Sequence, residues 1–397
     1  MTPLAVADYT LTTALGAGRS ATLAALRAGR TGLRREPFET ATLDTWIGAV
    51  QGLDDVRLPD ALAAFDCRNN RLAWLGLQQD GFAARVTAAR ERFGAHRVGV
   101  FLGTSTSGML TSEQAYRRRD PATGALPASF QYATTHSTGS LAAFVRAALD
   151  LRGPSFVIST ACSSSAKAFG NAARMIDLGL IDAAVVGGVD SLCLTILHGF
   201  HSLELLSPDV CRPYDATRRG LSLGEAAAFA LLARDAPAPR AWLRGVGESS
   251  DGHHMSAPHP EGAGAAVAMR DALAQAGVAP ADVGYLNLHG TATPSNDAAE
   301  GRGVASVFGP GGVPCSSTKG ATGHTLGAAG GVEAAIAMLA LEHGVLPGGL
   351  HRVQPDAALA VDYLDGAREA AVDVVASNSF GFGGSNACLV FGRAVPA

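Results

Sequence analysis

From about residue 96 onward the sequence repeats one pattern. A short β-branched apolar run is followed by a turn rich in Gly, Ser and Thr, and then by an Ala-rich segment with helical spacing. Continuous apolar runs of this length are typical of strands that helices cover on both faces. Strands are therefore predicted over 97–103, 155–160, 183–189, 227–233, 283–290 and 387–392. The pattern predicts an α/β fold.

The length of the chain predicts a division into two halves. At 397 residues it exceeds the size at which a single hydrophobic core usually keeps growing. The Pro- and Ala-rich segment 233–242 follows a predicted strand and is the boundary candidate. We therefore predict halves at 1–236 and 237–397. A strand, turn and helix pattern over 313–339 weakly resembles the one that begins at 155, which hints at internal duplication.

Charge and cysteine spacing exclude several classes of function. The net charge of −4 argues against a nucleic-acid partner, which usually requires a basic domain. No apolar run reaches the ~18 residues of a membrane span, and no basic leader precedes an apolar stretch. The six cysteines are widely separated, without CxxC pairs or zinc-type spacing. We expect a cytoplasmic protein with no membrane contact, disulfide framework or metal site.

Cys162 lies in VISTACSSSAKAF, between a predicted strand and a predicted helix. That helix is expected to start at Cys162 and to stop near Gly179, with an apolar stripe of Ala166, Phe169, Ala173 and Ile176. Free N–H groups at a helix start favour a thiolate and can hold an oxyanion. Most cysteines are simply small buried residues. The junction and the neighbouring serines favour a nucleophile here.

Two histidines follow separate predicted strands. His289 ends VGYLNLHG, and His324 lies in STKGATGHTLG, five residues after Lys319. Ligands of α/β proteins bind at such strand ends. Neutral imidazoles near a cysteine are the expected donors to an enolate or oxyanion, although a single histidine in a turn is more often a satisfied surface or core residue. The Gly-rich segment 380–386 can present a backbone amide, but lacks the Lys and Ser/Thr of a phosphate loop.

The motifs TACSSS, NLHGTAT, SSTKGATGH and NSFGFGGSN, in this order and spacing, resemble the elongating ketoacyl carrier-protein synthases of types I and II. The resemblance covers roughly residues 95 to 395. It implies a thiolase-like, five-layered α/β/α/β/α fold of two related halves, usually a homodimer. It also implies a condensing enzyme that joins a cysteine-bound acyl group to a malonyl unit with loss of CO2.

The same resemblance assigns roles residue by residue. Cys162 would be the nucleophile, and His289 and His324 would assist decarboxylation of the malonyl group. Lys319 would order the site, and Glu300 would be its acidic structural partner. Amides of Cys162 and Phe382 would form the oxyanion hole, and Phe382 would also gate the acyl pocket. The expected substrate-binding residues are Thr291, Thr293, Phe200 and Phe380, although Phe200, as a lone aromatic, also fits plain core packing.

The implied partner is an acyl carrier protein, which brings the substrate on its 4′-phosphopantetheine arm, so that no separate cofactor is expected. Carrier proteins are generally acidic, so a basic docking patch is predicted. Two candidates are Arg68 with Arg71, which resemble the family's docking positions, and the run Arg117, Arg118 and Arg119. A basic run of this kind is also typical of a plain solvated face.

Related alternatives differ at identifiable residues. A thiolase would need a second catalytic cysteine, and an initiating synthase would replace one histidine by asparagine. A non-catalytic chain-length factor, the partner subunit of a heterodimeric ketosynthase, would lack the nucleophile, which Cys162 argues against. Arg219 stands where the family commonly has an acid. Chain length, the choice between primary fatty-acid and polyketide or polyene synthesis, and the choice between homodimer and heterodimer remain open.

Overall fold

The computed structural model describes residues 1–395. Within this range the strands are β1 (Leu4–Thr13), β2 (Gly16–Ala17), β3 (Ile47–Gly48), β4 (Val98–Gly103), β5 (Ser155–Ile158), β6 (Ala183–Asp190), β7 (Leu223–Gly224), β8 (Ala226–Ala233), β9 (Ala241–Ser250), β10 (Tyr285–Asn287), β11 (Pro314–Ser316), β12 (Val345–Leu346), β13 (Asp362–Tyr363), β14 (Arg368–Glu369), β15 (Val374–Gly381) and β16 (Ser385–Gly392). The α-helices there are α1 (Arg19–Arg27), α2 (Arg68–Leu77), α3 (Phe82–Phe93), α4 (Met109–Arg117), α5 (Gly139–Ala148), α6 (Ser164–Asp177), α7 (Leu194–Ser202), α8 (Ala263–Ala276), α9 (Pro294–Phe308), α10 (Lys319–Thr322) and α11 (Ala329–His343).

The main sheet consists of two blocks with the same topology. The strand order is β5-β4-β6-β8-β1 in the first block and β11-β10-β15-β16-β9 in the second. In both blocks the first two pairings of this order are parallel and the last two are antiparallel. A short antiparallel ladder between β1 and β9 joins the blocks. The two related halves are therefore confirmed, while the boundary after residue 236 remains our proposal.

Helices form three layers around these two blocks. The outer face of the first block carries α2, α3 and α5, and that of the second carries α8 and α9. Between the blocks lie α6 and α11, which contact strands of both. Residues 329–341 of α11 are all buried, as a central helix requires. The three largest clusters of buried apolar side chains are one central and two outer clusters. This arrangement is the predicted five-layered fold.

The six predicted strands are present as β4, β5, β6, β8, β10 and β16, with ends shifted by a few residues. Strand β9 was not predicted from the sequence, and it begins within the last residues of the boundary candidate 233–242. Its sequence AWLRGVGESS lacks a β-branched run because α8 lies directly against it. A Cβ at Gly247 would be 1.8 Å from the carbonyl oxygen of Ala268, so close packing against the helix requires glycine there.

Two further features of the described chain are the state of its cysteines and the character of its helices. All six cysteines lie within residues 1–395, and all are buried and unpaired. In the same range, no helix combines the length and the apolar character that crossing a membrane would require.

Candidate active site

Cys162 occupies the turn between β5 and α6. A short 3-10 turn, Ala161–Ser163, leads directly into α6. Ala161 has a φ of 51°, an uncommon conformation for a residue with a side chain, and it turns the chain sharply at this point. The predicted apolar stripe of α6 is buried, and Gly179 with a φ of 70° follows the helix. The predicted helix is therefore present, but it starts at Ser164 rather than at Cys162, which lies in the turn before it.

The thiol of Cys162 faces an imidazole. Its Sγ lies 3.0 Å from Nε2 of His324. Burial is the largest influence on the thiol and raises its pKa to about 12, while the charge of Lys319 and the amide of Phe382 favour the thiolate. The expected resting thiolate is therefore opposed by burial. Because the sulfur holds its proton at rest, attack on a thioester requires a nearby base, and Nε2 of His324 is in position to accept that proton.

His289 and His324 face each other across the site. Their ring centroids are 5.4 Å apart and their planes are nearly perpendicular. Burial lowers the pKa of both imidazoles well below 6.5, and the charge of Lys319 lowers it further. Both rings are therefore neutral at physiological pH. A neutral imidazole can donate from one nitrogen and accept at the other, as the predicted roles require.

These depressed histidine pKa values predict a pH-dependent effect on stability. Below about pH 6.5 the unfolded chain protonates His324 while the folded chain does not, so His324 costs stability as the pH falls. Replacing His324 with Asn should remove this cost. The free energy of unfolding of the variant relative to wild type should then rise by about 1.4 kcal/mol per pH unit below 6.5. Urea unfolding between pH 5 and 7.5 measures this difference, and an unchanged difference across that range would contradict it.

Lys319 links the His289 strand end to the central helix α11. Its Nζ contacts the carbonyl oxygen of His289 and a carboxylate oxygen of Glu333, and lies 3.4 Å from Nδ1 of His289. Burial raises the pKa of the Glu333 carboxyl to about 7, and Lys319 opposes that shift. The sequence analysis missed Glu333. Its signal was a single charged residue in an otherwise apolar helical run, AGGVEAAIAMLAL.

Glu300 fixes the backbone that carries His289. Its carboxylate accepts hydrogen bonds from the amides of His289 at 2.8 Å and Gly290 at 2.7 Å, and from the side chain of Asn378 at 3.2 Å. Burial raises the pKa of the Glu300 carboxyl to about 7, although these hydrogen bonds act to lower that pKa. Glu300 thus supports the backbone at His289, whereas the carboxylate that pairs with Lys319 is Glu333.

The substrate-binding residues predicted from the sequence lie together in one cleft. It is lined by Cys162, both histidines, Thr291, Thr293, Phe200, Phe380 and Phe382. The rings of Phe200 and Phe382 lie 5.8 Å apart, and the rings of Phe380 and His289 are equally close. Lys319 and Glu300 lie behind this lining and support it.

The segment that follows β9 forms one wall of the cleft. Asp251, Ser256, Ala257 and Pro258 line it. Two backbone bonds attach this segment to the turn that contains Phe382. The amide of Gly383 donates to the carbonyl oxygen of Met255 at 2.7 Å, and the amide of Asp251 donates to the carbonyl oxygen of Gly384 at 2.8 Å. The segment after β9 is therefore part of the site.

The two candidate docking groups differ in their surroundings. Arg68 forms a two-pronged ion pair with the buried Glu225, at 2.6 and 2.8 Å, and a third bond to Asp54. Arg71 forms a similar pair with Asp66. Arg117, Arg118 and Arg119 are exposed, and none of them forms an ion pair within residues 1–395. Docking at either group stays a prediction.

Comparison with known proteins agrees with this geometry. Residues 65–238 match the model of the beta-ketoacyl synthase N-terminal domain, and residues 240–352 match that of the C-terminal domain. A 3-oxoacyl-[acyl-carrier-protein] synthase 2 from Coxiella burnetii is 34% identical over 93% of each chain. Nodulation protein E from Rhizobium meliloti is 37% identical over 75% of this chain and 76% of the relative.

Solved structures show the same relationship. A chain from the complex of a ketosynthase with its chain length factor from Xenorhabdus doucetiae aligns with a TM-score of 0.89 and 39% identity, covering 99% of this chain and 98% of the other. A beta-ketoacyl synthase from Burkholderia phymatum aligns with a TM-score of 0.87 and 29% identity, over 99% and 100% of the two chains. The chain belongs to the beta-ketoacyl synthase family of condensing acyltransferases.

Proposed function

We propose that this chain catalyses the decarboxylative Claisen condensation of an acyl group on Cys162 with a malonyl group on an acyl carrier protein. The products are a 3-oxoacyl-carrier protein and CO2. The observation that carries the proposal is the contact between Sγ of Cys162 and Nε2 of His324, with His289 facing the same cleft. The substrates bring their own phosphopantetheine arm, and the proposed reaction uses no other cofactor.

In the first step the sulfur of Cys162 attacks the acyl thioester. The new bond joins Sγ to the acyl carbon, and the bond from that carbon to the pantetheine sulfur breaks. His324 takes the thiol proton and passes it to the departing sulfur. The oxyanion that forms on the way is assigned to the backbone amides of Cys162 and Phe382. The amide of Phe382 already favours the thiolate of Cys162 in the resting site.

In the second step the malonyl group loses CO2. The electrons of the broken carbon–carbon bond form an enolate, whose charge lies on the thioester oxygen. Lys319 stands 3.4 Å from Nδ1 of His289, which favours the tautomer with the proton on Nε2. That nitrogen can then donate to the enolate oxygen. His324 can be a second donor once Cys162 is acylated, in the neutral tautomer that carries its proton on Nε2. The enolate carbon attacks the acyl carbon, the bond from that carbon to Sγ of Cys162 breaks, and the released thiolate takes up one proton from solvent, which balances the reaction.

Steady-state turnover tests the proposal. Purified protein with an acyl-carrier protein and malonyl-carrier protein should yield a 3-oxoacyl product two carbons longer, together with CO2. A panel of donors differing in chain length and saturation identifies the acyl specificity. Absence of product from every donor, from the chain alone and from the chain with a candidate partner subunit, would reject the proposed reaction.

We further propose that the chain acts in the cytoplasm and as part of a dimer, either with a second copy or with a ketosynthase-like subunit. The six unpaired cysteines favour a reducing compartment. The similar chain from Xenorhabdus doucetiae was solved in a complex of a ketosynthase with its chain length factor, which keeps the heterodimer open. Native mass spectrometry of the purified chain distinguishes the two assemblies: a stable homodimer excludes dependence on a second subunit for assembly.

Carrier-protein docking can be separated from structural roles by a matched pair of variants. Arg118→Ala is expected to raise KM for the carrier protein at low salt with little change in stability. Its side chain is exposed and forms no ion pair within residues 1–395. Arg68→Ala leaves the buried Glu225 without its cation, and should lower the free energy of unfolding by about 3 kcal/mol. An unchanged KM for Arg118→Ala, Arg117→Ala and Arg119→Ala would exclude the second candidate group.

A further inference from the structure

Asp190 ends strand β6 and is fully buried, outside the lining of the cleft. Its carboxylate accepts hydrogen bonds from two separate segments. From the segment after β4 come the hydroxyls of Thr104 and Thr106 and the amides of Ser105 and Thr106, at 2.6 to 2.8 Å, and the hydroxyl of Ser105 at 2.8 Å. From the segment after His324 comes the amide of Gly327 at 2.6 Å.

Within residues 1–395 no lysine, arginine or histidine forms an ion pair with Asp190, so N–H and O–H groups alone compensate its charge. Burying a carboxylate is costly, and the cost is offset only when every lone pair has a donor. The arrangement holds the segment after β4 and the segment after His324 at a fixed separation.

Gly327 lies in the 3-10 turn Leu326–Ala328, between His324 and α11. Leu326 has a φ of 57°, so the turn is held in an uncommon backbone conformation. A Cβ at Gly327 would lie 2.7 Å from Oδ2 of Asp190 and 3.0 Å from the amide nitrogen of Ser105. The turn therefore packs directly on the carboxylate and its donors.

The backbone of His324 itself is held by two hydrogen bonds. Its amide donates to the carbonyl oxygen of Ser222 at 2.7 Å, and its carbonyl oxygen accepts from the amide of Gly224 at 3.0 Å. His324 is thus fixed by two anchors along the chain. One is the pairing of its own backbone with Ser222 and Gly224, and the other, nearer α11, is the hydrogen bond from Gly327 to Asp190. Loss of that anchor would let the 3.0 Å approach of Nε2 to Sγ of Cys162 lengthen. An error of about 1 Å in such a contact can cost on the order of 100-fold in rate.

We propose that Asp190 is a positioning residue for the condensation: through the amide of Gly327 it sets the place of the His324 ring against the sulfur of Cys162. The inference rests on the proposed function. Asp190 does not itself reach the substrate.

Asp190→Asn tests this role. The amide nitrogen of asparagine is a donor, so it cannot accept the hydrogen bonds that the surrounding N–H and O–H groups give to Asp190. The single-turnover rate of Cys162 acylation should fall about 10- to 100-fold. Loss of the negative charge should also move the pH profile of Cys162 alkylation by iodoacetamide toward lower pH, because Asp190 raises the pKa of that thiol. A substitution that only destabilised the fold would leave the alkylation profile of the folded protein unchanged.

Two further variants separate position, charge and general stability. Gly327→Ala disturbs the same contact without removing the charge, and should reduce acylation without shifting the alkylation profile. Should Asp190→Asn fail to fold, Gly327→Ala carries the test. Asp215→Asn is the matched control, since Asp215 is also buried and accepts four bonds, from Thr217, Val353 and Gln354, away from the cleft. It should lose stability and keep its acylation rate.

Wild-type acylation by Asp190→Asn or by Gly327→Ala would overturn the inference, as would an equal loss of rate in Asp215→Asn. Failure of the wild-type chain to accept any acyl group would instead reject the proposed function. The wild-type measurement therefore distinguishes the two failures.

Discussion

Replacing Cys162 with alanine is expected to abolish condensation while leaving decarboxylation of the malonyl group measurable. The variant lacks the sulfur that carries the acyl group, so 3-oxoacyl product should fall by at least about 10³-fold. The two imidazoles proposed to stabilise the enolate, those of His289 and His324, are unchanged. Release of CO2 from labelled malonyl-carrier protein, measured beside product formation, separates the two steps.

Two controls sharpen this expectation. Cys67 also lies buried at the start of a helix, α2, but outside the cleft. Cys67→Ala should therefore retain both product and CO2 release. His289→Ala should lose CO2 release as well as product, because its donor to the enolate oxygen is gone. Loss of CO2 release in Cys162→Ala, with the fold intact, would contradict the separate roles assigned to the sulfur and the imidazoles.

Replacing Lys319 with methionine should reduce both stability and decarboxylation. Lys319 and Glu333 form an ion pair in which both side chains are almost completely buried. Removing the cation leaves a buried carboxylate without its partner, which costs about 3 to 5 kcal/mol in the free energy of unfolding. The loss should be greatest above pH 7, because Glu333, whose carboxyl pKa is already raised to about 7, takes up a proton at lower pH.

The double variant Lys319→Met with Glu333→Leu separates these two effects. Removing both charges should restore most of the stability, since a buried ion pair contributes little over apolar groups of similar size. It should not restore CO2 release, because the contact of Nζ with His289 is still missing. Recovery of activity together with stability would show that Lys319 acts only as a structural cation.

The residues at strand ends were predictable from the sequence. Cys162 and His289 each follow an apolar run and precede a Gly- or Ser/Thr-rich turn, and His324 lies within such a turn, so their placement at one end of a sheet follows from the α/β pattern. The packing of one half against the other could not be predicted from local sequence patterns. It depends on the pairing of β1 with β9 and on the burial of α11 between the sheet blocks.

The supporting carboxylates were harder to predict. Asp190 and Glu333 each end or interrupt an apolar run, yet their partners lie more than ten residues away along the chain. Sequence spacing alone cannot identify such long-range pairs. The same limit applies to Arg68, which the resemblance placed on a docking surface and the structure pairs with the buried Glu225. Its charge is largely committed within the fold.

The measurement that tests the account most directly is the mass of the chain after incubation with acyl-carrier protein alone. The account predicts one acyl group, mapped by peptide analysis to Cys162, absent from Cys162→Ala and discharged as 3-oxoacyl product when malonyl-carrier protein is added. An acyl group that maps to another residue, or one that malonyl-carrier protein does not discharge, would contradict the assignment of Cys162 as the nucleophile of a condensing enzyme.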